Sequence, residues 1–412
     1  MKFKLIPRQK SNCTIRDILD ILSLFLKGKL RRGSYIKEFE ELISKFHSQR
    51  YALATGSCRL AFYLILKALN IYKNDEVIIP AYNMSAFPKV LKLNGIKPKF
   101  VDIDEWTLNI DVNKIEKNIN ERTRAIVAVH LFGNPCDMDG IMNIARKYSL
   151  PVIEDCANSI GGKYKGKLLG TFGDAVCFSF GHSKDISTLG GGMVLTNDEK
   201  LYMKIKELYD DEFVLPDMFE ITKIIIKNII LKLATARIIF CLFVYPFIMF
   251  ANFVNSNILN NIFEEKDELS KMVKKRYANF QARIGINHFE AMNRLQNKRI
   301  ANAQTYNKLL VDIKGIRIPK SVEGAEHVYW QYPIWVRDRE KIIKKLLKKG
   351  IDTKKIYTYD CNNYIIFKKF SSHCPISEQT SEKILCLPVY HYLKEKDIVF
   401  ISELLKYYYC YK

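Results

Sequence analysis

Lys184 closes the run Phe178-Ser179-Phe180-Gly181-His182-Ser183-Lys184, between an apolar strand pattern at Asp174-Ala175-Val176-Cys177-Phe178 and the glycine run Gly190-Gly191-Gly192. Upstream by 29 positions (184 − 155), the apolar run Pro151-Val152-Ile153-Glu154 ends on the carboxylate of Asp155. An amine nucleophile and a strand-end acid, each beside small residues, form the pair that pyridoxal 5'-phosphate (PLP) chemistry requires. The amine bonds the cofactor's aldehyde, and the acid keeps the pyridine nitrogen protonated so that the ring draws electrons. Gly56, Ser57 and Cys58 follow the strand-like run Tyr51-Ala52-Leu53-Ala54 and open a helix, so their backbone N–H groups can receive a phosphate, with Ser179 adding a hydroxyl. A Gly-Ser turn before a helix is by itself only a cap; it acquires meaning beside Lys184.

The elements that must position these groups read as an α/β domain. Short apolar runs at Glu76-Val77-Ile78-Ile79, Lys99-Phe100-Val101-Asp102, Ala125-Ile126-Val127-Ala128-Val129 and Pro151-Val152-Ile153 alternate with helical patterns such as 37–48 and 138–148. That alternation predicts a mainly parallel sheet. From Arg276 to Leu310 the spacing predicts one long helix or two, and the remainder mixes strands (Val328 to Val336) with the charged helix Arg339 to Lys349, as in a smaller α+β lobe. The division expected is a PLP-binding large domain at 1–206, an apolar and basic insertion at 207–275, and a linking helix with a small C-terminal domain at 276–412.

With 412 residues, 48% hydrophobic and 26% charged, the chain can bury a large core. Its net charge of +21 suits anionic partners, yet the lysines are scattered, and no helix-turn-helix or basic-aromatic platform points to nucleic acid. The ten cysteines include no Cys-x-x-Cys pair, and several sit in apolar runs (Cys156, Cys177, Cys386), which fits reduced core thiols and no metal site. The first residues carry no signal-peptide pattern, so catalysis is expected in the cytoplasm.

Several blocks in order, Thr55-Gly56-Ser57-Cys58-Arg59-Leu60, Glu154-Asp155-x-x-Asn158, Phe178-Ser179-Phe180-x-x-Ser183-Lys184, the glycine run and Gln281-Ala282-Arg283-Ile284-Gly285, resemble the DegT/StrS family of PLP-dependent sugar aminotransferases. The resemblance begins near Gly33, passes through His130-Leu131-Phe132-Gly133-Asn134-Pro135-Cys136-Asp137-Met138-Asp139 and ends at Ile384-Leu385-Cys386-Leu387-Pro388. It implies the type I aminotransferase fold, a homodimer with its sites at the interface, and amino transfer, with glutamate as donor, to a nucleotide-linked keto-sugar for amino-sugar and surface polysaccharide synthesis. Lys184 would hold the cofactor and shuttle the substrate proton, Asp155 would face the pyridine nitrogen, and Asn158 would stand beside the phenolic oxygen where relatives carry Gln or His. Two positions depart from the pattern. Met84, after Pro80-Ala81-Tyr82-Asn83, takes the place of an aromatic ring over the pyridine, and Lys274 takes that of an asparagine reaching the partner subunit's phosphate. Related dehydratases replace the lysine with histidine, so Lys184 favours transamination over a dehydratase, while Met84 and Lys274 keep open a PLP-binding regulator without turnover. His182 reads as a local hydrogen-bonding residue.

Residues 221–263 are unexpected from the family pattern. Lys223, Lys227, Lys232 and Arg237 recur among isoleucines and leucines, and 238–263 carries no charged residue. A single membrane crossing is excluded, because Lys184 precedes the segment, the second lobe follows it, and both must lie on one side. A helical hairpin lying on the cytoplasmic face of a membrane is expected, with Pro246 as kink or turn; burial on the core or across a dimer is the alternative.

Overall fold

The computed structural model describes residues 5–254, 275–355 and 359–410. Seven strands form the large sheet: β1 (Tyr51–Thr55), β2 (Glu76–Pro80), β3 (Lys97–Val101), β4 (Thr123–Val129), β5 (Val152–Asp155), β6 (Ala175–Ser179) and β7 (Gly192–Thr196). Their spatial order is β1-β7-β6-β5-β4-β2-β3. Only β7 runs against its neighbours; the other pairings are parallel, as the alternating pattern predicts. A sheet covered on both faces needs apolar residues of both parities. Accordingly Val77, Ile79, Ala125, Val127, Ala175 and Cys177 enter one core, and Ile78, Ile126, Ala128, Val152, Val176 and Phe178 enter the other.

Helices α1 (Ile15–Leu26), α2 (Tyr35–Phe46), α3 (Cys58–Ala68), α4 (Met138–Lys147) and α5 (Glu199–Glu212) belong to this lobe. α3 and α5 close the first core through Leu60, Leu64, Leu201 and Ile205, while α2 and α4 close the second through Phe39, Ile43, Met138 and Ile141. α3 begins immediately after β1 because Ser57 caps it: its Oγ accepts the Leu60 N–H at 3.1 Å.

The insertion contributes α6 (Met218–Ala234) and, after a short break, a helical run from Arg237 that ends in α7 (Tyr245–Val254). A π-helical stretch, Phe240–Val244, precedes Pro246 in the first turn of α7. The helix runs on through Pro246, whose missing N–H leaves one backbone bond unmade, so the chain does not turn back there.

The expected long helix is a single one, α8 (Asn279–Leu310). Its first half packs beside α1 and α2, and Ala303, Tyr306 and Leu310 enter the core of the small lobe. That lobe holds a four-stranded sheet of β8 (Ile316–Arg317), β9 (Tyr332–Val336), β10 (Lys354–Lys355) and β11 (Ile384–Leu387) in the order β8-β9-β11-β10, with α9 (Arg339–Lys348) and α10 (Glu395–Cys410). The strand expected from Val328 starts only at Tyr332; the residues before it form a loop that carries Trp330 toward the large lobe. Ile6 pairs with Ile351, and the Arg8 guanidinium grips Asp352 with bonds of 2.9 and 2.7 Å, so the first described residues strap onto the small lobe. All ten cysteines are free thiols.

One contact sets the geometry of the site. Gly192, the first residue of β7, pairs with Thr55 on one side and Ser179 on the other, and a Cβ there would lie 2.4 Å from Cys58 N and 2.7 Å from the Ser57 carbonyl carbon. The start of α3 therefore rests directly on glycine backbone. Gly192→Ala should force those backbones apart and cost about 1–3 kcal/mol, the range for overpacking. It is expected to lower the urea unfolding midpoint, and an unchanged midpoint would show that α3 is seated less tightly than described.

Candidate active site

β1, β7, β6 and β5 are adjacent, and the site is assembled where β1, β6 and β5 end and β7 begins. Thr55 leads into Gly56 and Ser57, Ser179 ends β6, and Asp155 ends β5 opposite Cys177. The chain then loops from Phe180 through Lys184 back to the glycines. Phe180 fastens that loop: its N–H donates to Gly191 O at 3.0 Å and its carbonyl accepts from Thr188 N at 3.0 Å. Gly190 and Gly191 have φ of +134° and +113°, where side chains are strained, and a Cβ on Gly191 would meet the Tyr277 ring at 2.3 Å.

Lys184 is only 8% exposed. Its Nζ donates to Asn158 Oδ1 at 2.5 Å and lies 3.9 Å from the centroid of the Trp330 ring. Burial pulls the ammonium down to about 8, although the charges of Asp155, Cys58 and Asp185 oppose the shift. Asp155 is buried too, and burial pushes its carboxyl above the usual range, partly offset by the Ala157 N–H, 2.9 Å from Oδ1, and by the Lys184 charge. Its second oxygen accepts no hydrogen bond from any described residue.

The neighbouring carboxylate, Glu154, faces the other way and is fully engaged. It accepts from Gly170, Phe172 and Gly173 N–H groups at 2.7–2.8 Å and from His130 Nε2 at 3.2 Å. His130 Nδ1 accepts the Cys136 N–H at 3.1 Å, which leaves its proton on Nε2. Burial opposes the Glu154 charge, but these donors together hold its carboxyl below the usual range. Ligand atoms of His130, Glu154 and Cys156 lie within 4.8 Å of one another. With Glu154 and His130 already committed to protein partners, this cluster serves as a structural fastening for β5.

Asp185, next to Lys184, is claimed by Arg299 of α8, whose Nη2 donates to Oδ2 at 2.8 Å while Nη1 reaches Oδ1, and by Gln296 at 2.9 Å. Burial works against this carboxylate, yet the guanidinium keeps it charged and below the ordinary range. Trp330 Nε1 donates to Ser183 O at 2.8 Å, and Asn12 Nδ2 to Lys184 O at 2.8 Å, so the small lobe and the N-terminal strap both hold the lysine loop. A cleft beside this loop is lined by Arg8, Lys10, Ser183, Trp330, Lys354 and Tyr390. Burial pulls the Lys354 amine down to about 8, with Arg8 and Lys184 adding to the effect.

The structure thus gathers Gly56, Ser57, Cys58, Asp155, Asn158, Ser179 and Lys184 at one end of the sheet. Met84 is half-buried, its N–H held by Asn83 Oδ1 at 2.7 Å, and it makes no hydrogen bond to the Lys184 group. Lys274 lies outside the described residues. His182 is exposed and bonds to no described residue, so the local role expected for it finds no support in hydrogen bonding. Trp330, Lys354, Asn12 and the Asp185–Arg299 pair went unread in the sequence. Only Trp330 carried a signal, as one of three tryptophans, in an aromatic run at 329–332.

The residues fit PLP on structural grounds. The N-terminus of α3 lies against backbone where a Cβ on Gly192 would intrude, Asp155 keeps an oxygen unmatched, and Lys184 is buried, with its amine pulled down to about 8.

The sequence matches the profile of the DegT/DnrJ/EryC1/StrS aminotransferase family over residues 14–215 and 259–406, which leaves 216–258 unmatched. It is 29% identical over 376 residues to GDP-perosamine synthase of Escherichia coli O157:H7, covering 90% of this chain and 89% of that protein. It is also 29% identical over 394 residues to UDP-N-acetyl-3-dehydro-alpha-D-glucosamine 3-aminotransferase of Acidithiobacillus ferrooxidans, covering 95% and 92%. Among solved structures, the Helicobacter pylori aminotransferase PseC superposes with a TM-score of 0.79 at 22% identity over 98% of this chain and 99% of that one, a likeness of fold. Sheet order, site and profile coincide: the chain belongs to the DegT/DnrJ/EryC1/StrS aminotransferase family.

Proposed function

We propose that the chain is a PLP-dependent aminotransferase that moves an amino group from L-glutamate to a nucleotide-linked keto-sugar, as a homodimer, in the making of amino sugars for surface polysaccharide. The observation that carries the reading is Lys184, buried beside Asp155 and bonded to Asn158 at the sheet end. The fully conjugated cofactor, when bound, supplies an aldehyde for a lysine amine and a ring that takes up an electron pair.

The chain's own residues do the rest. Gly56, Ser57 and Cys58 present backbone N–H groups and the positive end of the α3 dipole to a phosphate, with the Ser179 hydroxyl nearby. Asp155, which burial disfavours as an anion, gains most from a cationic N–H aimed at its unmatched oxygen. Met84 would offer a thioether to one ring face. Lys184 Nζ takes a proton from the substrate carbon and returns it, a task suited to an amine poised near neutrality. Trp330 screens that amine from water on one side. The cleft amines Lys10 and Lys354, beside the Asp352-paired Arg8, match the diphosphate of a nucleotide-linked sugar. A second copy of the chain would cover the apolar stripe that Ile15, Leu19, Leu22 and Leu26 expose on α1. Lys184 also sets this reading apart from a dehydratase.

The first test is the absorbance of purified protein loaded with PLP. Wild type should show a visible band that glutamate converts to the pyridoxamine form, and Lys184→Ala should lose both the band and at least a thousandfold of turnover. A wild-type band indifferent to glutamate would overturn the donor, and absence of a band with added PLP would overturn the cofactor.

The amine must be neutral to attack an aldehyde, so a folded-state value of about 8 means that PLP uptake accelerates as pH rises through about 8. An ordinary lysine near 10.4 would be neutral in only roughly one molecule in 2,500 at pH 7, against roughly one in ten here. Stopped-flow uptake with a midpoint near pH 10 would contradict the burial of Lys184.

A further inference from the structure

Residues 221–254 carry four cations, Lys223, Lys227, Lys232 and Arg237, and no acid. The segment is anchored inward at both lobes. On α6, Ile221 is buried with Ile21, Leu24 and Phe280, and Asn228 Nδ2 donates to Ile224 O at 2.8 Å and Leu189 O at 3.4 Å. Further on, Phe240 and Ile248 bury against Leu347 of α9, and the Tyr245 hydroxyl donates to Leu347 O at 2.6 Å. These contacts use one side of each helix. The other side is apolar as well: Phe219, Ile226, Ile230 and Leu233 are exposed on α6, while Leu242, Phe243, Phe247 and Phe250 are 63%, 67%, 52% and 66% exposed along the second helical run. A helix apolar on both sides needs a partner on each.

We propose that this segment, which the family profile leaves unmatched, is an interfacial anchor that lays the outer faces of α6 and the 237–254 helix on an anionic lipid surface. Among the described residues no helix is long and apolar enough to cross a membrane, so the contact is with one face of a bilayer. Charge selects the occupant. A symmetric contact between two copies would set Lys223 and Lys227 near the same lysines of the other molecule, within chains of net charge +21, whereas anionic headgroups receive both the lysines and the aromatic rings. Lys223 Nζ already stands 4.1 Å over the exposed Phe219 ring, an arrangement that lets the ring enter the lipid while the ammonium stays at the headgroups. None of these side chains belongs to the Lys184 site, so the proposal stands apart from the amino-transfer reading.

Flotation of the full-length protein with vesicles of phosphatidylethanolamine and phosphatidylglycerol tests it, with phosphatidylcholine vesicles beside them. Wild type should float with the anionic vesicles and at least tenfold less with phosphatidylcholine, and raised salt should weaken binding. The combined variant Leu242→Ser, Phe243→Ser, Phe247→Ser, Phe250→Ser should lose tenfold or more, with the PLP absorbance band and the oligomeric mass unchanged. Lys223→Glu with Lys227→Glu, two exposed sites that leave the apolar contacts intact, should give a similar loss. Failure of wild type to float, equal flotation of both variants, or a drop in oligomeric mass in the serine variant would overturn the proposal, the last by showing a contact between copies.

Discussion

The constraint on which the site depends is that one ammonium is removed from water with too little opposing charge to keep it fully protonated. Lys184 is adjacent in sequence to Asp185 and close enough to Asp155 to feel its charge, and both carboxylates favour the ammonium, but burial outweighs them. Each is weakened as a counter-charge. Asp185 is spent on Arg299 and Gln296, and Asp155 is itself pushed toward the neutral form by burial. What remains is an amine lowered to about 8, within reach of both its acid and base forms, as proton transfer requires.

That balance requires dense packing around the loop, and the fold provides it from three directions. β7, the one strand that opposes the others, returns the glycine run between β1 and β6, so that the α3 N-terminus settles on bare backbone. The small lobe supplies Trp330, and the N-terminal strap supplies Asn12. Two adjacent carboxylates show how environment divides labour. Glu154 receives three backbone N–H groups and His130 and acts as a fixed structural anion, while Asp155, with a single N–H, is left able to bind a cation.

Much of this was legible in the chain, for physical reasons that also set the limit. The large-sheet strands announce themselves because burial on both faces demands continuous apolar runs, as in Ala125-Ile126-Val127-Ala128, and Lys184, Asp155 and Gly56-Ser57 sit at the ends of such runs. Boundaries drifted where sheet register outvotes composition: β3 begins at Lys97, paired with Glu76, although apolar character starts later. Trp330 and Arg299 were illegible because they meet the lysine loop across 147 and 114 positions, through a loop and a helix whose own patterns only report core packing. The insertion was visible as composition, but the separation of its inner anchors, Ile221, Phe240 and Ile248, from its exposed rings required the fold.

The central claim is that Lys184, among 65 lysines and arginines, is the amine set aside for the cofactor. The most direct measurement is peptide mapping by mass spectrometry after PLP-loaded protein is treated with borohydride to trap the covalent adduct. The account predicts one stoichiometric adduct on the peptide containing Lys184. Adduct spread over several lysines, or concentrated on Lys354 in the same cleft, would contradict it.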